Sequence, residues 1–313
     1  MSTQYTRDIL MMRPYKFGAN GETAKSNGFQ TLQTDSDEIA QKAHQEFDEF
    51  VALLRKEGVR VALFQDDAFP NTPDAVFVNN WVSFHEDGRV VLYPMLAENR
   101  RGERREEILD ILADDFGFSI TDVEDFSGFE TESLFLEGTG SMVLDRINLK
   151  AYAALSPRTD FEILETFCER FDYDPVTFDT NMSDGATEMP VYHTNVMLSI
   201  APAFAMVCMQ AIANDKDREK LKNALKNDGK KIIEITIAQM RAFCGNVLVV
   251  GNEQNELLCV MSSQAYESFR PDQLDAIAKH ARVIHSPLNT IEKLGGGSAR
   301  CMMAELFLPR INP

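Results

Sequence analysis

The feature that most constrains the fold is a series of similar segments spaced along the chain. Each segment begins with an apolar strand and reaches a polar or reactive residue within a few positions. The five segments begin at Ala75, Leu134, Val191, Gly245 and Ser298. Their starts are 59, 57, 54 and 53 residues apart. Sequence identity among them is negligible, so the spacing and the pattern carry the argument. A period in this range predicts a supersecondary unit repeated five times.

Each repeat is predicted to contain three strands and one helix. The stretches EDG at 86–88 and GNE at 251–253 are typical of turns between two antiparallel strands. An amphipathic helix then follows, as in RTDFEILETFCERF, for which Thr159 is the predicted N-cap. In the fourth repeat Pro271 stands near the helix start, where a missing N–H costs little. A short apolar strand such as RVIHSPL completes the unit, whose order is β-β-α-β.

The two ends of the chain are predicted to complete the fifth repeat together. The last segment lacks a helix, because only residues 298–313 follow its start. Near the N-terminus, DILMMRP predicts a strand, and Asp35 to Lys56 predicts an amphipathic helix with Asp35 and Glu38 as a capping box. The stretch VRVALFQ supplies the closing strand. The expected fold is therefore α/β: a five-bladed α/β propeller of pseudo-fivefold β-β-α-β units around a central channel, with residues 1–313 as a single domain.

Composition limits the partners that the chain can bind. It has 44% hydrophobic and 26% charged residues, as soluble globular proteins do, and a formal net charge of −18. This charge repels phosphate backbones and anionic lipids, and no basic run offsets it. We therefore expect neither nucleic acid nor a membrane as a partner. The acidic surface is compatible with a monomer or a homodimer.

The cysteines bear on the compartment and on metal binding. Five cysteines, an odd number, are widely spaced and form no C-x-x-C pair, so no metal site is expected. No stretch is typical of a signal peptide or of a membrane span. We expect a cytoplasmic protein with reduced thiols.

If the first strand of each repeat lines the channel, polar residues at equivalent places converge there. These residues are Asn79, Asn80, Glu137, His193 and Cys301. A thiol, an imidazole and a carboxylate form a nucleophilic set, in which the thiolate attacks, histidine moves a proton and glutamate orients the substrate. Taken alone, each residue also has a structural interpretation, since the stretch LGGGSARCMMAE can simply end a turn before a buried thiol. Their joint placement favours catalysis by Cys301 and His193.

The motifs LEGTG, SPRTD, YHTN and GGGSARCM resemble the guanidine-modifying, or amidinotransferase, superfamily, which contains arginine deiminases and dimethylarginine hydrolases. The resemblance covers nearly the whole chain and implies the five-bladed pentein fold of that superfamily. It implies that Cys301 is the nucleophile, His193 the general acid and base, and Glu137 a carboxylate that grips the substrate. Arg158 matches the arginine that pairs with an α-carboxylate, a task suited to a guanidinium fork. Arg104 is a weaker candidate for this task, and a solvated helix start is the alternative.

Two positions depart from the deiminase pattern. Asn80 stands where deiminases have an aspartate that holds the guanidinium, and Asn195 replaces the aspartate of their His-x-Asp motif. A neutral amide cannot offset a buried cation, but it can donate to a carbonyl oxygen. The pattern favours a neutral ureido group and resembles the citrulline-hydrolase subgroup. However, Asp66, Asp67 and Asp74 lie close by in the sequence, and one of them could restore the missing charge. By resemblance, dihydrolases for acylated arginine also use asparagine near this place, so arginine derivatives stay open.

The sequence thus favours a cysteine-dependent hydrolase that converts citrulline to ornithine, ammonia and carbon dioxide and needs no cofactor. The expected substrate-binding residues are Asn79, Asn80, Asp74, Asn195, Arg104 and Arg158. An arginine deiminase, an arginine-derivative dihydrolase or an amidinotransferase would use the same nucleophile. A ribosome-binding module of the same fold is the non-enzymatic alternative. The intact Glu, His and Cys set and the net charge of −18 argue against it.

Overall fold

A computed structural model of the protein describes residues 3–33, 36–67, 71–183 and 188–311. The strands are β1 (Asp8–Arg13), β2 (Arg60–Gln65), β3 (Val82–Phe84), β4 (Arg89–Leu92), β5 (Asp122–Asp125), β6 (Met142–Asp145), β7 (Lys150–Ala154), β8 (Asp174–Phe178), β9 (Met182–Ser183), β10 (Glu188–Met189), β11 (Leu198–Ile200), β12 (Phe204–Val207), β13 (Lys231–Glu234), β14 (Leu248–Gly251), β15 (Leu257–Ser262), β16 (Arg282–Ser286) and β17 (Ala304–Glu305). The helices are α1 (Asp37–Lys56), α2 (Glu107–Asp114), α3 (Gly138–Ser141), α4 (Phe161–Phe171), α5 (Asp215–Asn227), α6 (Ile237–Arg241), α7 (Ser263–Ser268), α8 (Pro271–Ala278) and α9 (Asn289–Gly295).

The strands form five three-stranded sheets and one two-stranded ribbon of β9 and β10. Four sheets have the same order along the chain: β3-β4-β5, β6-β7-β8, β11-β12-β13 and β14-β15-β16. In each of them the middle strand pairs antiparallel with the first strand and parallel with the last. A parallel pair needs a crossover, and at least one helix fills it in every case. The predicted β-β-α-β order is confirmed.

The fifth sheet joins the two ends of the chain. In it, β1 pairs antiparallel with β17 and parallel with β2, and α1 lies between β1 and β2 in sequence. Ile9 lies opposite Glu305 on one side and Val61 on the other. The prediction that the N-terminal segment completes the last repeat is therefore confirmed. The five sheets fit a pseudo-fivefold arrangement.

Local signals explain where the helices begin. In α1 the Ser36 side chain accepts a hydrogen bond from the backbone N–H of Ile39, and the predicted apolar stripe is buried. The proposed cap at Asp35 lies outside the described residues. The predicted cap of α4 at Thr159 is wrong by one position, because Asp160 accepts from the backbone N–H of Glu162. α8 begins at a proline, as predicted.

The innermost strands place the site. The strands β3, β6, β11 and β14 are buried along their whole length, whereas β5, β8, β13 and β16 expose several residues. A strand that is buried on both faces lies in the interior of the molecule. β11 contacts β6 and β14, and β17 contacts β3. The segments that lead into these first strands are therefore brought together. Among the described residues, no helix has the length and apolar character that a membrane crossing requires.

Candidate active site

Each predicted catalytic residue lies just before the first strand of its own sheet. Asn80 precedes β3, Glu137 precedes α3 and β6, His193 precedes β11 and Cys301 precedes β17. Because these strands are buried and adjacent, their leading segments meet. A narrow cavity of about 10 Å³ lies there, and Asn80, His193 and Cys301 line it together with Asp74 and Arg158. Glu137 lies directly behind His193, within hydrogen-bond distance.

The Glu137–His193 contact determines which ring nitrogen is free. His193 Nε2 lies 2.8 Å from Glu137 Oε2, and both side chains are buried. Burial lowers the pKa of His193 to about 4, although its hydrogen bond to Glu137 opposes this shift. Burial alone would raise the pKa of Glu137, but the charge of Arg158 and the bond to His193 outweigh it and hold that pKa well below its usual value. At neutral pH a carboxylate therefore accepts the Nε2 proton of a neutral imidazole, and Nδ1 keeps a lone pair.

A glycine lets this imidazole approach Asn80. A Cβ atom at Gly140 would lie 2.8 Å from His193 Nδ1 and 2.4 Å from Asn80 Nδ2. Those distances are far below van der Waals contact, so only glycine leaves room for both side chains here. The free nitrogen of His193 and the amide nitrogen of Asn80 thus face the same small space.

Two amides surround the Cys301 sulfur. Asn246 Nδ2 lies 3.2 Å from Sγ, and Asn195 Nδ2 lies 3.4 Å from it. Cys301 itself is 2% exposed. The other four cysteines are also buried, and burial raises the pKa of Cys259 to about 12. Among the described residues, no group of His, Cys, Asp and Glu side chains is suited to hold a metal ion.

Arg100 fixes the orientation of the Asn80 amide. Its Nη1 donates to Asn80 Oδ1 at 3.0 Å, while Nε and Nη2 donate to the two oxygens of Glu103. A guanidinium has no acceptor, so the Asn80 oxygen must face Arg100. The Asn80 nitrogen donates one proton to Asn79 Oδ1 at 3.1 Å. Its second proton has no protein acceptor among the described residues, so Asn80 presents a donor to the cavity.

Asp74 and Arg158 bring a carboxyl group and a guanidinium to the same cavity, and burial raises the pKa of Asp74. Asp74 Oδ2 accepts from Asn20 at 2.8 Å and from Thr23 at 3.1 Å, but Oδ1 is buried with no hydrogen-bond partner among the described residues. Arg158 Nη1 lies 3.3 Å from Glu137 Oε2, and its Nη2 donates to Ser26 Oγ at 2.8 Å. An unpaired buried carboxylate oxygen is costly, which makes Asp74 Oδ1 an acceptor for a bound molecule.

The N-terminal loop covers the cavity. Thr23 and Asn27 line it, and Ser26 binds Arg158. A second loop, from Asp179 to Pro190, leads to His193. Residues 184–187 of that loop lie outside the described part of the chain, and its two short strands bring Met182 and Met189 against Gly28 of the N-terminal loop.

Three predicted binding residues, Arg104, Asn79 and Asn195, do not line the cavity, although Asn195 contacts the Cys301 sulfur. Arg104 Nη1 lies 2.5 Å from Glu130 Oε1 and 3.3 Å from the Tyr93 carbonyl oxygen. These contacts hold the Arg104 side chain away from the cavity. The structure thus does not bring Arg104 to the site. Asn79 is buried behind Asn80 and donates to Thr139 Oγ1 at 3.2 Å. Its contact with the site runs through Asn80.

Sequence reasoning missed Arg100 and Asn246. Arg100 stands in the run ENRRGERREE, in which nothing distinguishes one arginine from the next. Asn246 had a usable signal, because it follows Gly245, the start of the fourth segment, and so lies near the place that Glu137, His193 and Cys301 hold in theirs. All five segments therefore contribute at least one residue to the site.

Five β-β-α-β sheets around a buried Glu, His and Cys set define the class: the guanidine-modifying superfamily with the pentein fold. A family model described as N,N dimethylarginine dimethylhydrolase, eukaryotic, matches residues 13–308, and the chain belongs to this family. The chain therefore belongs to a family of hydrolases that act on C–N bonds of amidino groups. No curated protein sequence matches the chain closely enough to be counted as a relative.

Solved structures of the superfamily share the fold. ArgZ, an arginine dihydrolase from the ornithine–ammonia cycle in cyanobacteria, is 18% identical with a TM-score of 0.72, and the match covers 97% of this chain and 41% of ArgZ. The chain thus spans about two fifths of ArgZ, but the match to the substrate-bound N-terminal domain of ArgZ covers 97% of that domain, at 17% identity and a TM-score of 0.72. A dimethylarginine dimethylaminohydrolase variant with an S-methyl-L-thiocitrulline adduct is 16% identical, with a TM-score of 0.64 and coverage of 96% of this chain and 100% of the other.

Proposed function

We propose that the protein is a cysteine-dependent hydrolase of a ureido amino acid, and that citrulline is its substrate. The orientation of Asn80 carries this proposal. Arg100 occupies the Asn80 oxygen, so the amide offers only an N–H donor to the cavity. A ureido group has a carbonyl oxygen to accept that proton, whereas a guanidinium has donors only. A donor at this place therefore suits citrulline better than arginine.

The charges in the cavity support an α-amino acid as the rest of the substrate. Asp74 Oδ1 is a buried acceptor without a partner among the described residues, which suits an α-ammonium group. Arg158 lines the same cavity, and we propose that it pairs with the α-carboxylate. A zwitterionic head group would match both charges at once.

The reaction needs one nucleophile and one proton carrier. The Cys301 thiol gives its proton to His193 Nδ1, and the thiolate attacks the ureido carbon. His193 then protonates the departing ornithine nitrogen, which leaves a carbamoyl thioester on Cys301. Water deprotonated by His193 hydrolyses the thioester, and carbamate breaks down to ammonia and carbon dioxide. Glu137 stabilises the transient imidazolium through Nε2.

We extend the proposal to the architecture and its surroundings. The five sheets would close as a five-bladed α/β propeller around a central channel, with residues 1–313 as one domain. The reaction would need no cofactor, and activity should therefore survive chelation. The five free thiols support a cytoplasmic location, and the charge of −18 supports a protein that binds no nucleic acid. A measurement of mass in solution would distinguish a homodimer from a monomer.

Product analysis tests the proposal. Purified protein is incubated separately with citrulline and with arginine, and ornithine, ammonia and citrulline are assayed. Ornithine and ammonia from citrulline support the proposal, and Cys301→Ala should abolish their formation while the fold is kept. Citrulline released from arginine would instead identify a deiminase. No turnover of either amino acid, with an unreactive Cys301, would favour a binding module of the same fold.

An arginine dihydrolase is the second candidate, favoured by one observation. Asp74 Oδ1 lies in the same cavity and could pair with a guanidinium as well as with an ammonium. Such an enzyme would release ornithine and ammonia from arginine. The arginine arm of the same experiment separates the two functions.

A further inference from the structure

Both polar atoms of the Asn246 side chain, next to Cys301, are engaged in hydrogen bonds. Its Oδ1 accepts the backbone N–H of Arg300 at 3.1 Å. Its Nδ2 donates to the Asn195 carbonyl oxygen at 3.0 Å and to Cys301 Sγ at 3.2 Å. Asn246 is fully buried, so no water competes for these bonds.

These partners fix the direction of the Asn246 amide. The Arg300 N–H can only donate, so it must meet the Asn246 oxygen, and the carbonyl of Asn195 can only accept, so it must meet the nitrogen. A flipped amide would set like groups against each other at both places. The group that reaches the sulfur is therefore an N–H donor held by two backbone anchors.

An N–H donor beside the sulfur favours the thiolate over the neutral thiol or thioester. A buried thiolate without hydrogen bonds is strongly disfavoured, and a charge-assisted bond to sulfur lowers that cost. A neutral thiol or thioester accepts only weakly. Asn195 also contacts the sulfur, with Nδ2 at 3.4 Å as a donor and Oδ1 at 3.7 Å as an acceptor of the thiol proton.

We propose that Asn246 is a further catalytic residue, which holds Cys301 Sγ in place and stabilises it as the thiolate. The proposal rests on the proposed role of Cys301 as nucleophile. In the first half-reaction the S–H bond breaks and its proton moves to His193 Nδ1, while the bond from Asn246 to sulfur strengthens. In the second half-reaction the C–S bond breaks, and the same donor receives the departing thiolate. Asn246 thus acts in both halves.

The test is alkylation of Cys301 by iodoacetamide, followed by mass spectrometry as a function of pH. Tyr192 and Arg300 interact electrostatically with Cys301, and the other titrating or charged groups of its cavity are His193, Arg158, Arg100 and Asp74. They are the same in all variants compared. Asn246→Ala should slow alkylation at pH 7 about tenfold, and its rate should draw closer to that of the unaltered protein as the pH rises and more thiol ionises. Asn246→Asp keeps the acceptor for the Arg300 N–H but has no donor for the sulfur. Its alkylation rate at pH 7 should fall by at least as much.

A matched control separates this role from lost packing. Asn252 is a buried asparagine just beyond the other end of β14, with a side chain that bonds to Glu57 and Glu256. Asn252→Ala should alkylate like the unaltered protein. Equal rates and equal pH profiles for Asn246→Ala, Asn246→Asp and the unaltered protein would overturn the role of Asn246, while continued citrulline turnover would leave Cys301 as the nucleophile. An unaltered protein that is not alkylated at Cys301 would overturn both.

Discussion

The single contact between Glu137 and His193 gives the site its base. Because Glu137 stays ionised, it binds the Nε2 proton and leaves Nδ1 with a free lone pair. The same burial that lowers the pKa of His193 keeps the ring neutral across the physiological range. A base of this kind is ready before the substrate arrives.

The pH profile of kcat/KM should report this base. His193 must be neutral to accept the thiol proton, so activity should be lost as pH falls through about 4, the lowered pKa of His193. An unshifted histidine would place the acidic limb near pH 6.5. The measurement is citrulline turnover from pH 3.5 to 8, with circular dichroism at each pH to confirm that the fold persists. An acidic limb near 6.5 would contradict the burial argument.

A methyl group at Gly140 should disturb the site more than the fold. A Cβ there would lie 2.8 Å from His193 Nδ1, so the imidazole must move. A displacement near 1 Å costs about 100-fold in rate. Gly140→Ala should therefore lose at least about 100-fold in kcat/KM, with a loss of about 1–3 kcal/mol in the free energy of unfolding.

Gly128→Ala is the matched control, since a Cβ at Gly128 meets no atom within 4 Å. It should leave both turnover and unfolding unchanged. Full activity of Gly140→Ala would show that the imidazole is not confined as the structure indicates.

The residues that sequence could predict are those tied to the repeat. Glu137, His193 and Cys301 each stand at the same place in a segment, so their convergence follows from the spacing. Arg100 and Arg104 share one charged run, and only the folded turn decides which guanidinium is buried. The direction of an amide or the free nitrogen of a ring depends on partners that are distant in sequence, so neither can be predicted from sequence.

At the scale of elements, α9 and the glycine-rich stretch behind it support Cys301. Glu292 of α9 is buried, and its Oε1 accepts from Ser298 Oγ at 2.5 Å. Burial raises the pKa of Glu292 to about 7, against the hydrogen bond from Ser298. The carboxyl group thus ties the segment before Cys301 to its helix.

Glu292 should make the stability of the protein fall as pH rises. The folded pKa lies above the unfolded value, so the folded state holds the proton while the unfolded state has released it. Glu292→Gln imitates the protonated acid. Its free energy of unfolding should match that of the unaltered protein near pH 4.5 and exceed it by about 2–3 kcal/mol at pH 8.

Urea denaturation at both pH values checks this prediction. Glu132→Gln removes an exposed carboxylate and is the control, for which no pH-dependent difference is expected. A difference for Glu292→Gln that does not change with pH would count against a protonated Glu292.

Element order was easier to predict than element ends. Apolar periodicity and turn residues predicted a β-β-α-β order that all five sheets follow. The start of α4 was misplaced because Thr159 and Asp160 are both good caps, and the choice depends on which one is free of other contacts. Thr159 is buried and bridges to Leu136, which leaves the cap to Asp160.

At the scale of the molecule, the pairing of β1 with β17 links the reactive end of the chain to its beginning. Cys301 lies just before β17, and β17 is held by β1. The N-terminal loop after β1 then returns over the cavity through Thr23 and Asn27. The spacing of the segments predicted this closure, but it did not predict which loop covers the site. A loop's position depends on side-chain contacts, such as Ser26 with Arg158, that have no periodic signal.

The most direct test of the whole arrangement is mass spectrometry of the protein quenched with acid during turnover of citrulline. The account predicts one carbamoyl group on the peptide that contains Cys301, present in the unaltered protein and absent in Cys301→Ala. Glu137→Gln and Gly140→Ala should reduce the rate at which this carbamoyl group forms. Continued turnover of citrulline by Cys301→Ala, with no carbamoyl group on the unaltered Cys301, would contradict the account.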